Sequence, residues 1–393
     1  MLVVSVIALV LAVTGHVAIC VFLNNRLHAQ GWPRPIIKSL SAFGHVVMTA
    51  GAAAAVWWWA ENASDPRAAV AGYYGLIGLY AALCILIAAG PLPLSLWRRR
   101  TCRTPAALCG NHSRLVDFRT GGADIIGPGW RRWLVRLPLN EVLRLEINEK
   151  RLAVPRLDAS LEGLSIAHLS DLHFTGVIGR RYFEEAIELA NQMEPDIVAV
   201  TGDLLDKSRC LDWVPYTLGR LRARHGAFFV LGNHDLQVDC ARLRETLEDA
   251  GLVDLSGQWH SLCINGCAVV LAGNELPWFR RAPSMSDCPG QIEGRRPLRI
   301  LLAHSPDQID WARKHDFDLL LAGHNHGGQI RLPLVGPVFS PSRYGVRYAC
   351  GVFHEPPTLM HVSRGLSAKT PLRYECPPEL TKLVLTCAPP ARI

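Results

Sequence analysis

Seven side chains between Asp171 and His326 have the types and spacing of a metal-ligand set. Asp171 and His173 stand two apart after the apolar run Leu164 to Leu169, and Asp203 follows the run Asp196 to Val200. Asn233 follows Ala227 to Leu231, His304 follows Arg299 to Ala303, and His324 and His326 follow Leu319 to Ala322. Carboxylate, amide and imidazole gathered in one place suit divalent transition metals such as Mn, Fe, Zn or Co better than Ca. In extended backbone, residues two apart share a side, so each pair is predicted to present both groups together. Gly327 and Gly328 would let backbone amides approach something small and anionic. One Asp after a strand is ordinarily a turn or cap. Seven such residues at the ends of successive apolar runs point to one site.

The elements that must position them alternate. Leu143, Leu145 and Ile147 alternate with polar residues and predict a half-buried strand. The apolar runs predict buried strands. Helical patterns over Tyr182 to Met193, Trp213 to Arg222 and Cys240 to Ala250 separate them, and a helix follows Pro306. Ser261 to Ile264 and Cys267 to Ala272 flank Asn265-Gly266 and predict a hairpin. This is an α/β pattern, in which ligands gather at the carboxyl ends of strands.

The motifs Ser-Asp-Leu-His, Thr-Gly-Asp-Leu-Leu-Asp, Gly-Asn-His-Asp, a lone His after a strand and Gly-His-Asn-His-Gly-Gly-Gln, in that order, resemble the calcineurin-like metallophosphoesterase superfamily. With Arg343-Tyr344-Gly345 and Ser363-Arg364-Gly365-Leu366 downstream, they look most like its bacterial phosphodiesterase branch of YaeI and YkuE type. The resemblance runs from about Leu143 to Leu385. It implies a four-layer αββα sandwich with a two-metal site at one end of the sheets. By motif, Asp171, His173, Asp203 and His326 correspond to the ligands of the first metal, and Asp203, Asn233, His304 and His324 to those of the second. A shared carboxylate can span two cations about 3.5–4 Å apart. His234 corresponds to the general acid and Asp235 to the residue that orients it. Asp206 reads as a supporting or capping residue and His168 as a packed core residue. The implied reaction is hydrolysis of a phosphate ester by metal-activated hydroxide, with a diester as first choice and a monoester on the same core as the alternative. A non-catalytic scaffold is disfavoured because no ligand is lost. Arg343, Arg347 and Arg364 could contact a substrate phosphate or serve the structure.

The first hundred residues are of another kind. Leu2 to Leu23, Ser41 to Ala60 and Val70 to Leu94 are apolar runs of spanning length. Trp57, Trp58 and Trp59 close the second, and Tyr73 and Tyr74 open the third. This divides the chain into a membrane region at 1–97, a basic irregular linker at 98–140 and the metallophosphoesterase domain at 141–390. His16 reads as a helix-packing residue. In the linker, Trp130, Arg131, Arg132, Trp133 and Arg136 suit either an anionic lipid surface or a solvated face. A net charge of +7 is modest, and the domain has no basic patch interleaved with stacking aromatics, which argues against nucleic acid as partner. The twelve cysteines include no C-x-x-C pair and read as reduced and structural. A site tethered at a bilayer favours a phospholipid or lipid-linked ester as substrate.

Arg26, Arg34 and Lys38 follow the first span and Arg98, Arg99, Arg100 and Arg103 the third, whereas the intervening loop has Glu61, Asp65 and Arg67. Positive charge marks the cytoplasmic side, which makes this a multi-pass membrane protein with its domain in the cytoplasm. A reporter fused after Ile393 is therefore expected to be active in the cytoplasm; a reporter active only outside overturns this orientation.

Overall fold

The computed structural model describes residues 2–62, 76–101, 104–120, 123–129, 131–279, 282–292 and 294–387. The start of the predicted third span with Tyr73 and Tyr74, as well as Asp65, Arg67, Arg103, Gly121, Gly122 and Trp130, lie outside them. The side chains of Arg98, Arg99 and Arg100 do too. The chain divides into two compact units, Met1–Arg103 with Arg343–Arg347, and Thr104–Ser342 with Tyr348–Ile393.

In the first unit, α1 (Leu2–His28), α2 (Arg34–Asn62), α3 (Leu76–Ala89) and α4 (Pro91–Thr101) are helical. Three stretches, Leu2–His28, Arg34–Asn62 and Ile77–Trp97, are long and apolar enough to cross a membrane. Helix α2 starts earlier than its apolar run, so Arg34 and Lys38 lie in its first turns rather than in a loop. His16 joins the helices as a packing residue would. Its Nδ1 lies 2.6 Å from the Tyr80 hydroxyl and its Nε2 3.2 Å from the carbonyls of Val47 and Met48. In hydrocarbon such hydrogen bonds hold helices together.

The second unit is built on two sheets. One has the order β1 (Leu108–Asp117), β2 (Arg144–Val154), β15 (Glu379–Cys387), β3 (Ser165–Leu169), β4 (Ile197–Thr201), β5 (Ala227–Val230), β6 (Leu252–Asp254). The other runs β13 (Gly351–Glu355), β14 (Thr358–Val362), β10 (Leu319–Ala322), β9 (Leu298–Ala303), β8 (Cys267–Asn274), β7 (Trp259–Ile264). Strands β3, β4, β5 and β6 are parallel neighbours, as are β8, β9, β10 and β14. Strand alternation sorts the core. Ile166, Ile197, Ala199, Phe228 and Val230 meet Val269, Leu271, Ile300, Leu302, Leu319 and Leu321 between the sheets. Ala167, Leu169, Val198, Val200 and Phe229 face the other way, onto α5 (Arg180–Asn191) and α6 (Cys240–Asp249). Helix α7 (Ile309–Lys314) packs on β14.

Part of the linker expected to be irregular is a strand. Strand β1 pairs antiparallel along β2 and extends the first sheet. Its run Leu-Cys-Gly-Asn-His-Ser-Arg-Leu-Val-Asp has no apolar face to betray a strand, because most of it is exposed at the sheet edge. Phe118, Ile125 and Val135 are buried in the domain core. Where a helix is expected over 213–222, the chain forms 3-10 turns at Ser208–Tyr216 and Leu218–Arg220, with Pro215 inside the first.

A polar chain crosses the sandwich among these apolar residues. Lys150 Nζ donates to His361 Nε2 at 2.9 Å. His361 Nδ1–H can then only donate to His168 Nδ1, 2.8 Å away, and His168 Nε2–H to Thr201 Oγ1, 2.9 Å away. Every imidazole in this relay is neutral and each tautomer follows from the lysine. Burial pushes the His168 imidazole down to about 3. Against burial, Lys150 and Arg364 hold Glu379 well below the usual carboxylate range. His168 is thus no ordinary packed residue, since it joins one sheet to the other.

An imidazole held neutral by the fold binds fewer protons than in the unfolded chain. Its stabilisation is complete above about pH 6.5 and is lost as pH falls toward about 3. In that window denaturant titrations should lose about 1.4 kcal/mol per pH unit through His168. His168→Gln should be shallower by that slope, and equal slopes overturn the assignment.

Candidate metal centre

The ends of β3, β4, β5, β9 and β10 carry all seven predicted ligands into one place. The strands stop short of the functional residues, and the chain then turns. Asp171, His173, Asp203, His324 and His326 all have positive φ, between 47° and 70°. The predicted extended i, i+2 geometry is therefore corrected: neither pair sits on a strand. Left-handed backbone costs a non-glycine residue about 1–3 kcal/mol and persists only where the surroundings enforce it. Here the turns enforce one another. The Asp171 N–H donates to the Gly202 carbonyl at 2.9 Å, and the Gly323 N–H to the His304 carbonyl at 2.9 Å. The His324 N–H donates to the Asp171 carboxylate. Glycine precedes Asp203, Asn233 and His324 because the turns touch. A methyl group on Gly232 would overlap Asp203 Oδ1, and one on Gly323 would overlap Ser170 Oγ.

Two clusters result, and Asp203 belongs to both. Asp171, His173, Asp203 and His326 each offer one ligand atom within 4.8 Å of the others, and so do Asp203, His304 and His324. Asp203 Oδ2 lies 3.5 Å from His173 Nε2, and Oδ1 lies 3.3 Å from His304 Nε2. His326 Nε2 lies 3.5 Å from Asp171 Oδ1 and 3.2 Å from His173 Nε2. His304 Nε2 lies 3.1 Å from His324 Nδ1 and 3.2 Å from Asn233 Oδ1, which places Asn233 at the second cluster.

The tautomers test whether a cation fits. His173 Nδ1 lies 2.7 Å from Asp206 Oδ2, and His304 Nδ1 lies 2.7 Å from the Thr201 carbonyl. Each Nδ1–H donates outward, so each neutral ring turns the Nε2 lone pair inward. The Nε2 lone pairs of His173 and His304 thus face carboxylate and amide oxygens at 3–4 Å. Such a set repels itself unless a positive charge sits among it. The titration behaviour agrees. Burial opposes charge on His304, yet Asp203 and Asp171 push it up to about 9. Burial also opposes charge on Asp203, yet His304 and His234 hold it well below the carboxylate range. The mixed nitrogen and oxygen donors fit divalent transition metals.

Two predicted roles change hands. Asp235 does not hold the His234 ring. Its oxygens take the N–H groups of Asp203, Leu204, Leu205 and Gly232 at 2.8–3.0 Å. Burial and Asp203 push its carboxyl up to about 7, but each oxygen already accepts two donors, so this geometry holds the carboxylate. Asp235 fixes the turn that carries Asp203. The carboxylate at His234 is Asp206, with Oδ1 2.7 Å from His234 Nδ1 and Oδ2 on His173. Burial works against ionisation of Asp206, but the two imidazoles hold it far below the carboxylate range. The motif Gly-Asp-x-x-Asp offered this second carboxylate, and the adjacency of Asp235 in sequence drew attention from it.

Three further groups had no motif. Trp278 stands with its ring 4.7 Å from that of His324 and 5.5 Å from that of His304. It follows β8, whose end carries no ligand, so nothing marked it. Glu275 accepts the Leu231 N–H at 2.6 Å and an Arg244 Nη2–H at 2.6 Å, bracing the turn before Asn233. Arg373 is wholly buried and donates from Nη2 to the Arg364 carbonyl at 2.7 Å, beside His326. Arg364 serves the structure: its guanidinium pairs with Glu379 at 2.9 Å and Glu146 at 3.1 Å.

Residues 164–328 match the calcineurin-like phosphoesterase family. The chain is 32% identical over 225 residues to the phosphodiesterase YaeI of Escherichia coli, covering 56% of this chain and 81% of that one. The chain belongs to the calcineurin-like phosphoesterase family. It is accordingly a metal-dependent phosphoric ester hydrolase, and the His/Asp cluster is its metal-binding centre. Identity to the uncharacterized metallophosphoesterase YkuE of Bacillus subtilis is 28% over 265 residues, or 66% of this chain and 90% of that one. A transmembrane protein with metallophosphoesterase domain from Danio rerio is 28% identical over 258 residues, covering 61% of this chain and 57% of that one. With the three apolar helices, this relative marks the chain as membrane-associated.

Asp206→Asn should lower metal affinity or turnover about 10–100-fold, because it loosens two imidazoles at once. Asp235→Asn should lower the unfolding midpoint. Metal analysis and thermal unfolding of the two variants separate these roles; identical behaviour overturns the division.

Proposed function

We propose that the chain is a membrane-tethered phosphodiesterase with a two-metal centre, acting on the cytoplasmic side on a phospholipid or a lipid-linked phosphodiester. The observation that carries the reading is the division of the Asp203 carboxylate, one oxygen toward each cluster. In this reading Asp171, His173, Asp203 and His326 hold the first cation, and Asp203, Asn233, His304 and His324 the second. Bound cations supply Lewis-acid polarisation of the phosphoryl group and a lowered pKa for water.

The remaining chemistry falls to the chain. Asp206 and the Thr201 carbonyl keep His173 and His304 oriented through their Nδ1–H groups. The departing alkoxide needs a proton, and in this reading His234 gives it. With Nδ1–H donated to Asp206, the proton on Nε2 is the one available; burial pushes the His234 pKa down, and the Asp203 and Asp206 carboxylates offset part of that. After transfer His234 is neutral and still held through Nδ1. Its side chain is only partly exposed, which limits exchange with bulk water. Trp278 walls the second-cation side with an aromatic face.

Support for a diester comes from the E. coli relative's designation as a phosphodiesterase. Support for a lipid comes from the apolar helices, and for the cytoplasmic side from the cations flanking them.

Metal-reconstituted turnover should be compared on phospholipids, nucleotide-linked lipids, aryl diesters and monoesters; hydrolysis of monoesters alone would sink the diesterase reading. His234→Ala should keep its metal and lose roughly 10²–10⁴ in turnover on a poor leaving group. Undiminished turnover there removes the general-acid role.

A further inference from the structure

Five residues after His326 the chain leaves the metal centre as a small ribbon, β11 (Arg331–Leu332) paired with β12 (Gly336–Pro337). A turn tip in water calls for glycine, asparagine or aspartate. Here it reads Pro333-Leu334-Val335. Leu334 has φ 66°, a left-handed conformation that leucine adopts against its preference, and it is 83% exposed. Ile330, Leu332, Val335 and Phe339 are exposed beside it. No such cluster of large exposed apolar residues occurs elsewhere among the described residues of the domain. Contiguous apolar surface of this kind marks a contact.

The ribbon's base is firmly built. The Arg331 N–H donates to the Tyr374 carbonyl at 3.0 Å, and the Tyr374 N–H to the Gln329 carbonyl at 3.1 Å. Gln329 Nε2 donates to the carbonyls of Thr370 and Leu372 at 2.7 and 2.9 Å. A methyl group on Gly328 would overlap Pro337. The apolar tip is thus held in fixed relation to the turn bearing His326.

The chain itself says what the tip meets. Only residues 98–107 separate Trp97, the end of the third spanning stretch, from Leu108, the start of β1. With 98–101 helical and the remainder at full extension, they reach at most about 27 Å, which bounds the distance from the end of the spanning stretch to the start of β1. Arg331, partly exposed at the ribbon's base, suits the anionic headgroup level while leucine and valine enter the acyl boundary. We propose that the 330–339 ribbon inserts its Pro333-Leu334-Val335 tip into the bilayer interface and so holds the metal centre at the level of lipid headgroups. The proposal deepens the lipid-diesterase reading and rests on it only for the activity measurements below.

The test uses the full chain in phosphatidylcholine–phosphatidylglycerol nanodiscs, with a photo-reactive phenylalanine analogue at Leu334. A second preparation carries it at Arg224, which precedes β5 at the end of the sheet opposite the ligands. Lipid adducts at 334 and not at 224 are expected. Absence of adducts at 334, or adducts to a second copy of the chain in their place, overturns the proposal. Independently, Leu332→Asp with Leu334→Asp should cut turnover of a vesicle-borne phosphodiester at least tenfold and change turnover of a soluble aryl diester by less than about twofold. Equal effects on both substrates overturn the proposal as well. Lipid adducts together with no hydrolysis of any lipid would leave the ribbon's role intact and refute the lipid substrate.

Discussion

The centre depends on an excess of acceptors packed around Asp203. Two carboxylates, an amide oxygen and four imidazoles converge at about 3–4 Å, and His173 and His304 turn their Nδ1–H groups outward. The fold concentrates negative potential there and must hold it in place. Each outward Nδ1–H is therefore fixed by a partner, Asp206 for His173 and the Thr201 carbonyl for His304. The backbone under Asp203 is fixed in turn by Asp235, whose two oxygens take four N–H groups. Self-repulsion at the centre and donor satisfaction around it are two sides of one arrangement. The left-handed turns that present the ligands persist because neighbouring turns lock one another.

The same logic extends into the sandwich. The relay from Lys150 through His361 and His168 to Thr201 sets hydrogen direction from one sheet to the other. Thr201 is where it meets the centre, because the Thr201 carbonyl also takes the His304 proton. A buried polar network of this kind is tolerable only when its members are satisfied. Here the members are satisfied in one order of donors and acceptors, which ties the β3–β4 pairing in one sheet to β14 in the other.

Much of the site was legible because ligand chemistry restricts residue type. Asp171, His173, Asp203, Asn233, His304, His324 and His326 stand out after apolar runs, and five of the strands could be placed to within a residue or two. What stayed hidden depends on three-dimensional neighbours. Asp235 adjoins His234 in one motif and Asp206 lies 28 residues away in another, and only the fold shows that Asp206 is the carboxylate that reaches the ring. Trp278 follows a strand with no ligand of its own. Strand β1 carries no apolar alternation because it lies at an edge. The extended geometry first assigned to His324 and His326 failed because period-two reasoning ends where the strand ends, at Ala322.

The order of strands in the first sheet has a consequence for biosynthesis. Strand β15, the last of the chain's strands, lies between β2 and β3, two of the earliest. Until the ribosome has released it, the sheet is two fragments with a gap about one strand wide on either side of its missing member, about 10 Å in all. The gap borders β3, which leads directly into Asp171, and Glu379 of β15 neutralises Lys150 and Arg364. A nascent chain can therefore carry every proposed ligand and still lack the frame that aligns them.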